Sequence, residues 1–312
     1  MPTANHCPCL LRMTGLDIHG ETPRDGAGEG SGRGIHEQSR VRRPVKLGIV
    51  VRTMGPQSTR ETVLACAQAA EGAGLDDLWV PDHIAIPPDD AAGSGGRYLD
   101  PLATLAYLAA ATTRIGLGTG VLVLPYRPAL ATAKWVATIQ ELSGGRLLLG
   151  VGTGWMQAEF RAVGVAREER GRRTDATLDL LRRCFDADEV EENGQPFLFL
   201  PRPARPPIFV GGAAPHALER AVRFGDGWMP MGGPPEQLAG PVSELRSLAR
   251  AAGRPEPEVV VLTGLSLDDP PRAAERAAAY REAGVTRLVF GSRYADSDTF
   301  SREAEALAAL RL

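Results

Sequence analysis

From Val45 onward, short apolar runs alternate with segments of helical period. The runs are continuously apolar rather than alternating, which is how strands read when both faces of a parallel sheet are covered. Val45–Val51 is the first. Ser58 is placed to cap a helix, with Glu61 three residues on completing a capping box. Val63, Ala67 and Ala70 share one face of that helix, and Gly72 and Gly74 end it. Asp77–Val80 is the second strand. A loop carrying Pro87, Pro88, Gly93, Gly95 and Gly96 then leads to a helix start at Asp100-Pro101. The strand Ile115–Val123, the helix Pro128–Leu142 and the strand Arg146–Gly150 follow.

The rhythm then breaks. Trp155–Gly164 and Gly171–Phe185 read as two helices, and 186–206 as an excursion with a short strand near Phe197–Leu200. Alternation resumes with the strands Ile208–Val210, Trp228–Met231, Val259–Leu265 and Arg287–Phe290. The helices Pro215–Phe224, Pro235–Ala252, Pro271–Ala283 and Asp298–Leu310 lie among and after them. Eight strands with intervening helices over roughly 265 residues predict an α/β TIM barrel with an insertion after the fourth strand. A doubly wound sheet would carry a Gly-rich fingerprint after its first strand, and Arg52-Thr53-Met54-Gly55 does not supply it.

Composition sharpens this picture only in places. Residues 1–43 are expected to be a disordered tail, because Gly20–Arg43 is rich in Gly, Arg and Glu and has almost no apolar period. The folded domain is placed at 44–312. A net charge of -3 without a basic stripe argues against a nucleic-acid partner. The four cysteines Cys7, Cys9, Cys66 and Cys184 form no disulfide pattern, and Cys7 and Cys9 with His6 lack a second ligand pair, so no metal is expected. With no spanning apolar stretch and no secretory leader, the expectation is a cytoplasmic protein without membrane contact.

In a barrel of this kind the active site gathers at the C-terminal strand ends. Those ends are Asp82-His83, Gly118-Thr119-Gly120, Gly152-Thr153-Gly154-Trp155, Gly211-Gly212-Ala213-Ala214 and Met229-Pro230-Met231-Gly232-Gly233. Glycine there lets a ligand approach the backbone. Asp82-His83 is the one acid–imidazole pair, and two readings stay open: a ring contact with a proton shuttle, or a loop cap with a structural histidine. Gly211–Ala214 feeds a helix start that suits a phosphate, or is an ordinary βα turn. Trp155, Trp228 and Met231 line a flat apolar ligand, or belong to the core.

Seven motifs in order carry a resemblance. They are Trp79-Val80-Pro81-Asp82-His83, Gly118–Pro125, Leu142-Ser143-Gly144-Gly145-Arg146, Gly150–Trp155, Glu169–Arg173, Pro207–Gly212 and Gly225-Asp226-Gly227-Trp228. Together they resemble the bacterial luciferase-like family of flavin and deazaflavin oxidoreductases, in particular its F420-dependent oxidoreductase subgroup, over almost all of Val45–Leu310. The resemblance implies a flat tricyclic cofactor across the barrel mouth and a non-proline cis peptide at Gly120-Val121. It implies cofactor contacts from Asp82, from Gly120 and the backbone of Val121, Leu122 and Val123, and from Gly152, Thr153, Gly154, Gly211, Gly212, Ala213 and Ala214. His83 becomes the candidate proton donor or acceptor. Trp155 and Pro87 replace a glutamate and a tryptophan of the family's sugar-phosphate dehydrogenases, and no lysine lies near Met231–Pro234. A more apolar substrate is therefore expected.

The resulting expectation is an enzyme that moves a hydride between coenzyme F420 and a small, fairly apolar organic substrate, with loop 87–97 as a candidate lid. The rivals are an FMN-dependent monooxygenase fed by a separate reductase, and a barrel that binds a flavin without turnover. A homodimer is carried over from the family.

Overall fold

The computed structural model describes residues 44–310, and the expectations for the 1–43 segment lie outside the described residues. In chain order the strands are β1 (Lys46–Val50), β2 (Asp77–Val80), β3 (Gly116–Thr119), β4 (Leu122–Val123) and β5 (Leu147–Gly152), then β6 (Glu189–Glu192) and β7 (Gln195–Leu198). They continue with β8 (Ile208–Gly211), β9 (Gly227–Met229), β10 (Glu258–Thr263) and β11 (Arg287–Phe290). All but β6 and β7 pair in parallel in the order β3-β2-β1-β11-β10-β9-β8-β5-β4, and a β3–β5 pairing closes the ring. Because β3 and β4 together form one stave, the barrel has the eight staves of a TIM barrel.

Period-two alternation sorts each strand between two apolar layers. Leu47, Ile49, Val51, Leu78, Val80, Val210, Trp228 and Leu288 lie in the layer under the helices. Trp79, Phe209, Met229, Val260 and Val289 fill the lumen, with Val50, Val121, Leu148 and Leu262 packed on them. Burial on both faces is the reason the strands read as unbroken apolar runs. Trp79 fits the lumen because Gly48 and Gly118 flank it: a Cβ at either position would collide with its indole. Below it, fully buried Asp77 accepts from Trp79 Nε1 and from Arg287, and Arg287 Nη2 lies 3.4 Å from Glu258. These three charged residues open their strands and close the barrel at its N-terminal end.

Three local expectations are corrected. The first helix, α1 (Arg60–Gly72), is capped by Thr59, whose side chain accepts from the Thr62 N–H. Ser58 instead donates its hydroxyl proton to Gly55 O and accepts from Arg97 Nε at 2.8 Å, so it ties the loop after β1 to loop 87–97. The predicted strand Ile115–Val123 is interrupted at the cis peptide Gly120–Val121, which separates β3 from β4. The 186–206 excursion holds an antiparallel hairpin, β6–β7, rather than a lone strand near Phe197–Leu200. Its turn is Asn193-Gly194, both with positive φ (53° and 75°), the pair that a two-residue hairpin turn selects.

Candidate active site

β2 runs into Pro81-Asp82-His83, and two ion-pair systems grow from that turn. Asp82 accepts the Val123 N–H at 2.8 Å and both ends of the Arg127 guanidinium, at 2.6 and 2.9 Å. Arg127 also bonds Asp100 at 2.8 Å, and Asp100 caps α2 (Pro101–Ala111) by accepting from Leu102 and Ala103. Burial pushes the Asp82 carboxyl up while Arg127 and the Val123 N–H pull against it. For Arg127, burial works downward and is outweighed by the two carboxylates, which raise it and keep it a cation. The Asp82 side chain has no exposed surface. Both of its oxygens are engaged in holding β4 and the Leu124–Arg127 turn.

His83 Nδ1 stands 3.0 Å from Glu159 Oε2. Glu159 comes from α4 (Gln157–Ala162), the short helix that follows α3 (Ala129–Leu142) and β5 and begins the insertion, and is almost wholly buried. Its Oε1 accepts from Ile84 N–H at 2.6 Å and Ala85 N–H at 3.1 Å, and its Oε2 also accepts from the Tyr126 hydroxyl at 3.0 Å. Burial works to raise this carboxyl, and the bonds from His83, Ile84 and Ala85 outweigh it, holding Glu159 below its ordinary value. An ionised carboxylate only accepts, so the imidazole carries a proton on Nδ1, and in the neutral tautomer Nε2 is the basic nitrogen. Burial and the Glu159 charge push the Tyr126 hydroxyl up, which keeps it a donor. The His83 ring also lies 5.0 Å from that of Tyr98 and 6.4 Å from that of Trp155.

The mouth between these groups and the other strand ends is glycine-lined. Val121 closes the lumen from above, and its two methyls occupy the space that Cβ atoms would take at Gly152 (2.6 Å) and Gly211 (3.1 Å). Gly154 (φ +77°) and Gly212 (φ +127°) continue the rim in conformations that favour glycine. Thr153 is half-buried beside Gly154, and Ala213 and Ala214 are exposed ahead of α6 (His216–Phe224), the first helix after α5 (Arg170–Asp186). Leu122 and Val123 are packed away, and Val123 N–H is already bonded to Asp82, so β4 offers the mouth backbone and not side chains. Trp155 (42% exposed) and Met231 (53%) stand at the surface of the mouth. Trp228 does not join them: it faces outward, buried, and its Nε1 donates to Gly212 O at 2.8 Å. The inward residue of β9 is Met229.

The structure thus brings together His83, Asp82, Gly120, Val121, Gly152 and Gly211, and adds Glu159, Tyr126 and Arg127, which the motif reading passed over. Glu159 follows Trp155 at helical spacing, and Arg127 lies in the turn Leu124–Arg127; both were visible as charges beside a strand end. Among the described residues no His, Cys, Asp or Glu cluster could hold a metal, and no helix is long and apolar enough to cross a membrane.

The Glu159 geometry sets a pH-dependent stability difference. Its folded-state value lies below the unfolded one, so its contribution is present above the ordinary carboxylate range and is lost as pH falls through the folded value. Glu159→Gln turns an amide NH2 toward donors that need an acceptor, and is expected to cost about 1–3 kcal/mol at pH 7. Denaturant melts of both proteins at pH 7 and at about pH 3.5 check this. The gap is expected to narrow in acid, and a gap independent of pH would contradict an ionised Glu159.

Comparison with known proteins follows the same outline. The family described as luciferase-like monooxygenase matches residues 45–311. An uncharacterised protein of Mycobacterium tuberculosis is 33% identical over 248 residues, which is 73% of this chain and 83% of that one. An F420-dependent hydroxymycolic acid dehydrogenase of the same species is 33% identical over 196 residues, 60% of this chain and 53% of that one. Among solved structures, the monooxygenase RslO1 from Streptomyces bottropensis superposes with a TM-score of 0.72 at 21% identity, covering 85% of this chain and 98% of that one. An F420-dependent secondary alcohol dehydrogenase gives the same TM-score and coverages at 18% identity. These two structures share the barrel fold with this chain.

Proposed function

The chain belongs to the luciferase-like monooxygenase family, and from that membership we propose that it transfers a hydride between coenzyme F420 and a small, fairly apolar organic substrate. The observation that carries this reading is the buried Glu159–His83 pair beside an apolar floor. Val121 provides that floor over the lumen column of Trp79, Met229 and Leu262, and Gly152 and Gly211 make the space in which its methyls sit. A ring with an apolar face and polar edges fits such a cradle. The F420-dependent relative at 33% identity supports the choice of cofactor.

When bound, the deazaflavin would donate or accept the hydride. The chain's own part is position and proton supply. Glu159 holds His83 with its proton on Nδ1, so Nε2 takes or returns the proton that accompanies hydride loss or gain at the substrate. Asp82 and Arg127 hold β4 and with it the Val121 floor. Ile84, Trp155 and Met231, each roughly half exposed, offer apolar surface to the substrate and exclude water when it is seated.

Fluorescence titration of the purified chain with F420 and, separately, with FMN tests the reading. Micromolar or tighter binding of F420 with weaker FMN binding is the expected result. A preference for FMN would replace it with the monooxygenase reading, and binding of neither would remove the cofactor assignment.

A further inference from the structure

The end of β1 presents a cation that the chemistry above does not use. Along this strand the even-numbered residues face the lumen. A Cβ at Gly48 would meet Asp77 and Trp79, and Val50 packs on the lumen cluster, whereas Leu47, Ile49 and Val51 lie under the helices. The ladder continues past β1, with Val51 N–H donating to Trp79 O at 2.9 Å, and continued alternation puts Arg52 on the same side as Gly48 and Val50. Register sets Gly48 beside Asp77 and Val50 beside Trp79. Extended past the strand ends, it directs Arg52 toward Pro81, the first residue of the turn that carries His83. Met54 bridges to Tyr98, whose ring stands against His83, so the loop after β1 is a wall of the same site.

Arg52 is half-buried, and its hydrogen bonding is incomplete. Its backbone N–H is held by the Tyr294 hydroxyl at 2.9 Å, but its guanidinium reaches only the Tyr294 carbonyl, from Nη1 at a long 3.5 Å. Its Nε–H is buried without an acceptor. The same loop holds Thr53 Oγ1 and Gln57 Oε1, the two non-arginine side-chain atoms among the described residues that are buried and unpartnered. Leaving a permanent cation's donor unmade is costly, and the Nε–Nη edge of a guanidinium is the fork that takes a carboxylate in two parallel bonds.

We propose that Arg52 is a specificity-determining residue that anchors a carboxylate on an otherwise apolar substrate, with the apolar body against Ile84 and Trp155. The inference rests on reading the barrel mouth as the active site, and it needs no particular cofactor. Its test uses the whole chain with two probes of equal shape, 3-phenylpropionate and 3-phenylpropan-1-ol, titrated by calorimetry without cofactor and again with F420. The acid is expected to bind more tightly than the alcohol, and the difference to shrink with added salt. Arg52→Gln is expected to weaken the acid about ten- to a hundredfold and leave the alcohol within about twofold, while Arg52→Lys keeps part of the preference. Equal binding of acid and alcohol by the unaltered chain would overturn the proposal, whether or not the Gln variant folds. So would equal weakening of both probes, or a loss confined to F420 affinity. Failure of F420 to bind would remove the cofactor reading alone, because the acid–alcohol comparison is made without it.

Discussion

Replacing His83 with alanine is expected to lower kcat by about 10²–10⁴-fold, the range that a positioned acid–base group supplies. Cofactor affinity is expected to stay within a few fold of the unaltered chain. The reason is geometric: the His83 ring is fixed from one side by Glu159 and flanked by Tyr98 and Trp155, while the floor beneath a ring is built from other residues. Single-turnover absorbance with any substrate the unaltered chain turns over separates the two quantities. Glu159→Gln should fall between, because it disturbs the tautomer and orientation of His83 without removing the imidazole. Turnover of His83→Ala within about tenfold of the unaltered chain would sink the proton-relay role. If both proteins bind cofactor tightly and neither turns over any substrate, the binding-barrel reading gains.

The strand ends were legible because their signals are local. A buried parallel strand is a continuous apolar run, and glycine or an acid–imidazole pair at its end stands out against it. Facing was legible too, but only by counting. Met229 alternates with Trp228, and the lumen column through Asp77 and Trp79 settles which of the two faces inward on its own strand only once register is known. Trp228 drew attention by its size, yet it packs under the helices. The Asn193-Gly194 hairpin was a local signal left unread.

Contacts between distant segments were a different matter. Asp82 meets a guanidinium 45 residues away, and His83 meets a carboxylate 76 residues away. No period or spacing in one sequence joins such residues; the barrel does so by closing its ring. The insertion helix was expected, but its role in presenting Glu159 depends on the tilt with which it leaves β5. That is set by packing: Phe160 is buried with Val123 and Tyr126, so the residue beside it, Glu159, is carried against the turn after β2.

The same closure makes the loss of Asp82 costly in stability. Asp82→Ala would leave the Arg127 guanidinium, only 12% exposed, with Asp100 as its remaining carboxylate, and would strip the Val123 N–H of its acceptor. Removing one member of a buried pair costs about 3–5 kcal/mol, because the other charge stays behind, here only partly compensated by Asp100. For a domain of this size that corresponds to a fall in Tm of roughly 6–15 °C. Cofactor affinity should fall with it, since the Val123 anchor positions β4 and the Val121 floor. The double variant Asp82→Ala, Arg127→Met removes the stranded charge as well, and should recover part of the loss. Thermal melts of the two single variants and the double one form a cycle that isolates the pair. Strict additivity, or a loss under about 1 kcal/mol for Asp82→Ala, would mean that Asp82 is not held mainly by Arg127, and would return its carboxylate to the list of groups available to a ligand.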